Sequence, residues 1–112
     1  MNKASLDKVL LVKHSNEQQA SGRLQEAQAE RGRLSQQLDQ LEDYRQIYEA
    51  RLEEPDTKSF SASQLSDYRV FLANLNRAAE MQNEQVEQVT EGVENLRDQW
   101  IEKRQGLSLI HI

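Results

Sequence analysis

Two heptad repeats, one in each half of the chain, are the feature that most restricts its fold. In both repeats the steps alternate between four and three residues. The first repeat comprises Leu6, Leu10, Lys13, Glu17, Ala20, Leu24, Ala27, Arg31, Leu34, Leu38, Leu41, Arg45, Tyr48 and Leu52. The second comprises Leu65, Tyr68, Leu72, Leu75, Ala79, Gln82, Val86, Val89, Val93, Leu96, Trp100, Lys103 and Leu107. Because a period of 3.5 residues keeps one stripe facing a partner helix, both repeats predict coiled-coil helices.

A proline between the two repeats predicts how the helices are connected. Pro55 cannot continue a helix, and it biases Glu54 away from helical geometry. Since the repeats are about equally long and the connection is short and polar, we expect the helices to fold back on each other. The sequence therefore predicts an all-α antiparallel coiled-coil hairpin, with helices over 4–53 and 62–105 and a turn over 54–61.

The ends of the helices carry recognisable capping residues. Asn2 or Ser5 is expected to cap the first helix, and Ser61 or Ser63 the second. Residues 106–112 differ in composition from the rest of the chain. We expect them to form an anomalous tail without function, the truncated or aberrant end of a longer chain.

The composition suits a hairpin better than a layered globular domain. Apolar residues make up 37% of the chain and charged residues 29%, which supplies a narrow seam but little bulky core. The sequence has no apolar run long enough to span a membrane, no secretory signal pattern and no cysteine. These features favour a location in the cytosol.

The charge distribution argues against binding to nucleic acid. The net charge is −5, and neither half has an excess of basic residues: residues 1–55 contain eight basic and ten acidic groups, and residues 56–112 contain six and nine. A phosphate backbone requires a concentrated basic face.

The sequence offers little support for catalysis. His14 and His111 are the two histidines, near opposite ends of the chain. No glycine-rich loop that could hold a phosphate group precedes a helix, and nothing near the many carboxylates would desolvate them enough for general acid catalysis. We therefore expect no enzyme activity, no catalytic residues, no cofactor and no metal.

Two further features have ordinary structural interpretations. Trp100 occupies a heptad position and is expected to pack in the seam. A row of glutamates without intervening basic residues is expected to be a solvated face, with docking of a basic partner as the alternative. The row consists of Glu80, Glu84, Glu87, Glu91 and Glu94.

The residues that flank the seam predict two different sides of the hairpin. On one side, heptad geometry brings Glu49 of the first helix near Arg69 of the second. On the other, Tyr44 and Phe71 converge, with Gln37 and Ala78 one heptad further from the turn. Exposed aromatic residues on a helical rod often mark a binding site, so we define Tyr44 and Phe71 as the aromatic shoulder.

Three segments, in order around the proline-containing turn, resemble motifs of the flagellar FliJ family. They are residues 36–48 (QQLDQLEDYRQIY), 65–75 (LSDYRVFLANL) and 93–100 (VENLRDQW). The resemblance covers roughly residues 3–105. It implies a small antiparallel coiled coil in the bacterial cytoplasm, peripherally associated with the inner-membrane apparatus for flagellar type III protein export.

The resemblance also implies partners and contact residues. Family members resemble a rotary stalk, sit in the ring of the flagellar export ATPase, contact the membrane export-gate protein and bind export chaperones. The gate-binding positions carried over to this chain are Gln37, Leu41, Tyr44, Tyr48, Phe71, Leu75, Ala78 and Gln82. Gln82 stands where some members have a histidine. Alternatives are a stalk component of a virulence-type secretion system and a structural coiled-coil spacer.

Overall fold

Two long helices make up the protein. The computed structural model describes residues 2–54 and 58–110, without the side chains of residues 107–110. Within them, helix α1 covers Lys3–Leu52 and helix α2 covers Ala62–Ile110, and no strand occurs. The Tyr68 side chain of α2 donates a hydrogen bond to the Tyr48 carbonyl of α1. Gln82 lies two heptads after Tyr68 on α2, and it donates to Leu34, which lies two heptads before Tyr48 on α1. The helices therefore run antiparallel, and the predicted all-α helical hairpin is confirmed.

Side-chain caps explain where both helices begin. The backbone N–H of Ser5 donates to Oδ1 of Asn2 at 2.8 Å, so Asn2 is the cap of α1. At the start of α2, the Gln64 N–H donates to Ser61 Oγ at 3.1 Å and the Ser61 N–H donates to Gln64 Oε1 at 2.9 Å. This reciprocal pair is a capping box, which satisfies two backbone donors that the helix itself leaves unpaired.

The two helices end in different ways. After Leu52, the N–H groups of Glu53 and Glu54 donate to carbonyls three residues earlier, which tightens the last turn of α1. Pro55 lies outside the described residues. Helix α2 continues past the predicted end near Gln105 as far as Ile110.

The final residues are only partly described. Gly106 lies within α2 beside the Lys13 side chain of α1. His111 and Ile112 are outside the described residues, so the tail expected over residues 106–112 stays a prediction.

The chain divides into two compact units, each containing part of both helices. The turn unit comprises residues 32–87. Its buried apolar side chains are Leu34, Leu72 and Ala79, all at heptad positions. The neighbouring heptad positions are half-buried, as expected for a two-helix seam that one partner helix covers from one side.

The terminal unit comprises residues 1–31 and 88–112. Its buried residues are Ala20, Leu24 and Val93, which are again heptad positions. Towards the chain ends the seam becomes polar: the indole N–H of Trp100 donates to Glu17 Oε1 at 2.8 Å. This hydrogen bond offsets part of the free-energy cost of removing the Glu17 carboxylate from water.

Candidate functional site

An aromatic cluster lies in the turn unit and joins the two helices. We define it as Tyr48 of α1, Tyr68 and Phe71 of α2, and Phe60, which precedes α2. The Phe71 ring meets the Tyr48 ring edge-on, with centroids 5.0 Å apart and planes at 85°. The Tyr68 ring lies 6.2 Å from Tyr48, 6.4 Å from Phe71 and 6.5 Å from Phe60. Edge-to-face and tilted ring contacts at these distances are favourable, so the rings support one another in fixed positions.

A hydrogen bond fixes the middle of the cluster. The Tyr68 hydroxyl donates to the backbone carbonyl of Tyr48 at 2.6 Å, which ties α2 to α1. Partial burial raises the pKa of the Tyr68 hydroxyl above the usual 10.0, and the nearby charge of Arg51 partly opposes that effect. The neutral, hydrogen-bonding form of Tyr68 is therefore the one that belongs to the folded hairpin.

A positive charge lies on the α1 side of the cluster. The guanidinium carbon of Arg51 is 5.0 Å from the centre of the Tyr48 ring. At this distance a guanidinium is attracted to the face of an aromatic ring. The cluster therefore has a cationic group at the end of α1, next to the turn.

Both residues of the aromatic shoulder are exposed. Tyr44 is 56% exposed and Phe71 is 42% exposed. The rings that Phe71 contacts are those of Tyr48 and Tyr68, whereas Tyr44 borders a shallow depression on α1 together with Ile47. Tyr44 is thus exposed to solvent. Phe71 is also accessible, and its contacts with Tyr48 and Tyr68 hold its ring in place.

Two of the predicted gate-binding residues bond to each other. The side-chain amide of Gln82 donates to Oε1 of Gln37 and to the backbone carbonyl of Leu34, both at 3.1 Å. Gln82 is half-buried in the seam and Gln37 is exposed beside it. The pair forms a polar boundary two heptads from Tyr68.

The eight gate-binding positions carried over from the family all lie in the turn unit. Leu41 and Leu75 are half-buried seam residues, and Ala78 is exposed on α2. Leu41 and Leu75 therefore contribute to packing between the helices, whereas Tyr44, Phe71 and Ala78 offer accessible surface.

The opposite side of the seam is polar. Arg45 donates to Glu42 Oε2 at 2.6 Å and to Glu49 Oε1 at 3.2 Å, and the hydrogen bond and charge of Glu42 raise the pKa of Arg45. A depression on this side is lined by both helices and includes Asn76 and Asn83. The sequence predicted a Glu49–Arg69 approach here, but the ion pair that Glu49 makes is with Arg45 of its own helix.

Three residues near the aromatic shoulder were not selected from the sequence. Ile47 is 49% exposed and Phe60 is 40% exposed, and Arg51 lies over Tyr48. Ile47 could have been selected from the sequence as a site residue, because it follows Tyr44 by three residues and so shares its face of α1. Phe60 could not, since its position depends on how the turn leads into α2.

The terminal unit carries a different surface. Trp100 is half-buried in the seam, where the sequence placed it, and the guanidinium of Arg104 lies 5.4 Å from its ring centre. Exposed apolar side chains occur along the first turns of α1; they are Leu6, Val9, Leu11 and Val12.

The described residues contain neither a group of metal ligands nor a membrane-spanning helix. Within 2–54 and 58–110, no group of three or more His, Asp or Glu side chains is placed to hold a metal ion. In the same part of the chain, neither helix combines the length and apolarity needed to cross a membrane. His14 is exposed on α1, and His111 lies outside the described residues.

Comparison with known proteins identifies the family. The model of the family described as flagellar FliJ protein matches residues 2–111, nearly the whole chain. Comparisons with curated proteins and with solved structures find no match. The family match agrees with the antiparallel hairpin and with the three sequence motifs around its turn. The chain therefore belongs to the flagellar FliJ family and is a structural component of the flagellar protein export apparatus.

Proposed function

We propose that this hairpin is a stalk-like, non-enzymatic link between the ring of the flagellar export ATPase and the membrane export gate. Its action is mechanical and allosteric: the hairpin passes the state of the ring to the gate. The protein works in the cytoplasm, peripherally associated with the inner-membrane export apparatus. It also binds export chaperones, a role proposed from the family alone.

The observation that carries the proposal is the exposed aromatic shoulder on a supported aromatic cluster. Tyr44 and Phe71 leave large rings in solvent, whereas aromatic residues of a plain spacer would be expected to pack in the seam. Aromatic anchors held in place before binding contribute most of the affinity at many protein interfaces. We assign gate binding to this surface, through Gln37, Leu41, Tyr44, Tyr48, Phe71, Leu75, Ala78 and Gln82.

The terminal unit is the part we assign to the ATPase ring. Its seam contains Lys13, Glu17 and Lys103 in place of apolar residues, and the Glu17–Trp100 bond shows a polar contact at one of these positions. Polar seam residues weaken pairing between helices but favour a defined partner.

The test of gate binding compares two double variants. Tyr44→Ala with Phe71→Ala should weaken binding to the soluble cytoplasmic region of the export-gate protein by at least about tenfold, as expected for interface anchors. Val70→Ala with Met81→Ala removes apolar side chains that are at least as exposed, elsewhere in the turn unit, and should leave binding unchanged. Isothermal titration calorimetry measures the affinities, and circular dichroism checks that both proteins keep the helicity of the parent. Unchanged affinity of the Tyr44/Phe71 variant would contradict the proposal.

A second assay separates the stalk from the spacer. Purified hairpin added to the export ATPase should stimulate ring assembly or ATP turnover, because a stalk contacts the ring from within. A spacer would leave both unchanged. The flagellar family match already disfavours a virulence-type secretion system.

A further inference from the structure

An exposed strip continues the aromatic shoulder towards the turn. Ile47 follows Tyr44 by three residues and Arg51 follows Ile47 by four, so the three side chains share one face of α1. Phe60 lies beside the Tyr68 ring, which in turn contacts Phe71. We define the turn strip as Ile47, Arg51 and Phe60.

Two residues of the turn strip, Arg51 and Phe60, are held in position before any partner binds. The Arg51 guanidinium rests over the Tyr48 ring, and Phe60 leans on Tyr68, whose hydroxyl is bonded to the α1 backbone. Binding therefore costs little conformational entropy in these side chains, so most of the favourable free energy of an apolar contact contributes to affinity.

The polar side of the seam offers no comparable surface. There Arg45 is engaged by Glu42 and Glu49, and covering these groups with an apolar partner would carry a desolvation cost. An apolar partner is therefore directed to the aromatic side, where Ile47 and Phe60 leave about half of their surface in water.

The chemistry of the surface selects a helical partner. Because α1 and α2 bond their own backbone groups, the strip presents side chains and few backbone donors or acceptors. An extended peptide bound there would lose the hydrogen bonds between its backbone and water without gaining others. A helix would lose none, because its backbone groups are already hydrogen-bonded to one another. From Gln37 to Arg51 the face of α1 rises by about 21 Å, which three to four turns of a partner helix would cover.

The charge of the strip fixes the orientation of that helix. Arg51 places a cation at the turn end, where its guanidinium lies over the Tyr48 ring, and a guanidinium stacked on a ring can still bond a carboxylate through its N–H groups. A partner helix with an acidic residue at one end would form a charge-assisted bond there. The opposite orientation would place that acid over apolar side chains.

We propose that the gate-binding surface extends over Ile47, Arg51 and Phe60, and that it takes a single amphipathic helix of the export-gate protein, with an acidic residue facing Arg51. This inference rests on the proposed function, because it names the partner segment for the same site. It adds three contact residues and a partner conformation to the eight positions carried over from the family.

Single variants of the full chain test the added residues. Ile47→Ala, Phe60→Ala and Arg51→Glu should each weaken binding to the soluble cytoplasmic region of the gate protein about tenfold. The matched controls are Val70→Ala and Arg69→Glu, which lie together in a separate depression on α2 and should bind as the parent does. Thermal unfolding followed by circular dichroism confirms that every variant is folded as well as the parent.

The outcomes separate this inference from the proposed function. If Tyr44→Ala and Phe71→Ala weaken binding while Ile47, Arg51 and Phe60 variants do not, the extension is wrong and the gate site stands. If none of these variants affects binding, the gate site itself is wrong. Self-association of the hairpin that the Phe60→Ala change abolishes would assign the strip to a second copy and overturn the inference.

Peptides test the conformation of the partner. Overlapping synthetic peptides that cover the cytoplasmic region of the gate protein are titrated with the hairpin, and the peptide that binds should gain helicity by circular dichroism. Proline in its centre and replacement of its acidic residue should each abolish or strongly weaken binding. Binding of a peptide that stays extended, or one insensitive to proline, would overturn the helical assignment.

Discussion

At the scale of single residues, Tyr68 connects the packing of the hairpin with its candidate site. Its ring contacts Tyr48, Phe60 and Phe71, and its hydroxyl donates across the seam to the Tyr48 carbonyl. One heptad residue thereby joins the helices and supports the exposed Phe71. The function proposed for the shoulder depends on this support.

Removing the Tyr68 hydroxyl should destabilise the hairpin without dispersing the cluster. Tyr68→Phe loses the cross-helix bond to the Tyr48 carbonyl, so we expect a loss of about 1 kcal/mol in the free energy of unfolding. Urea denaturation followed by circular dichroism measures it. A variant as stable as the parent would show that the bond makes no net contribution.

The same variant should change the response to alkaline pH. Because the folded state raises the Tyr68 pKa above 10.0, the stabilisation is present below that pH and is lost as pH rises through the raised value. The parent should therefore lose more stability than Tyr68→Phe as the pH rises above 10.0. Equal losses would mean that Tyr68 ionises as freely in the folded state as in the unfolded one.

Side-chain partners of long charged residues were the part that the sequence could not predict. Heptad geometry placed Glu49 near Arg69, but Glu49 bonds Arg45 on its own helix. The choice between such partners depends on side-chain rotamers, which the heptad position does not fix. Tyr44 and Phe71 pose the same problem, since position on the heptad fixes the side of the seam but not which rings touch.

At the scale of the elements, the heptad pattern predicted most of what the helices do. Every buried apolar residue of the described chain is a heptad position, because burial in a two-helix structure depends on which stripe faces the partner. The caps were predicted as pairs of alternatives, and the bonds of Asn2 and Ser61 decide between them. The end of α2 was predicted less well, since Gly106 weakens a helix without ending it.

Burial of the seam can be tested at Leu72, which is 7% exposed. Leu72→Asp places an unpaired charge between the helices and should unfold the hairpin or cost at least about 3 kcal/mol. Val70→Asp is the matched control, because Val70 is 58% exposed on the same helix and should change stability little. Thermal unfolding compares the two, and a fully helical, equally stable Leu72→Asp protein would contradict the seam.

Substitution of three helical glycines should increase the stability of the protein. A Cβ atom added at Gly22, Gly32 or Gly92 would meet nothing within 4 Å, and none has a positive φ. Each change to Ala should therefore stabilise the protein by about 0.4–1 kcal/mol, chiefly by restricting the unfolded chain. Differential scanning calorimetry should show the melting temperature rising by several degrees with each substitution; a fall would reveal that the added methyl group is not accommodated.

At the scale of the whole molecule, the hairpin is held together by a seam distributed along both helices. If this seam, rather than the connection, provides the stability, a chain cut between Glu54 and Lys58 should reassemble from its two halves. Unfolding of the cut protein becomes bimolecular, so each tenfold dilution should lower its stability by about 1.4 kcal/mol. Circular dichroism at several concentrations measures this, with the intact chain as the concentration-independent control. Halves that remain unfolded when mixed would contradict it.

The bonds of Gln82 to the Leu34 carbonyl and of Trp100 to Glu17 have a mechanical consequence. Both bonds run across the hairpin, so sliding one helix lengthwise by a heptad must break them together along with the packing around them. A force along the helices is resisted by all of these contacts at once. A force that separates the helices from one end breaks them one after another. Helices bonded in this way therefore resist sliding along each other more strongly than separation from one end, which is the property that the proposed link requires.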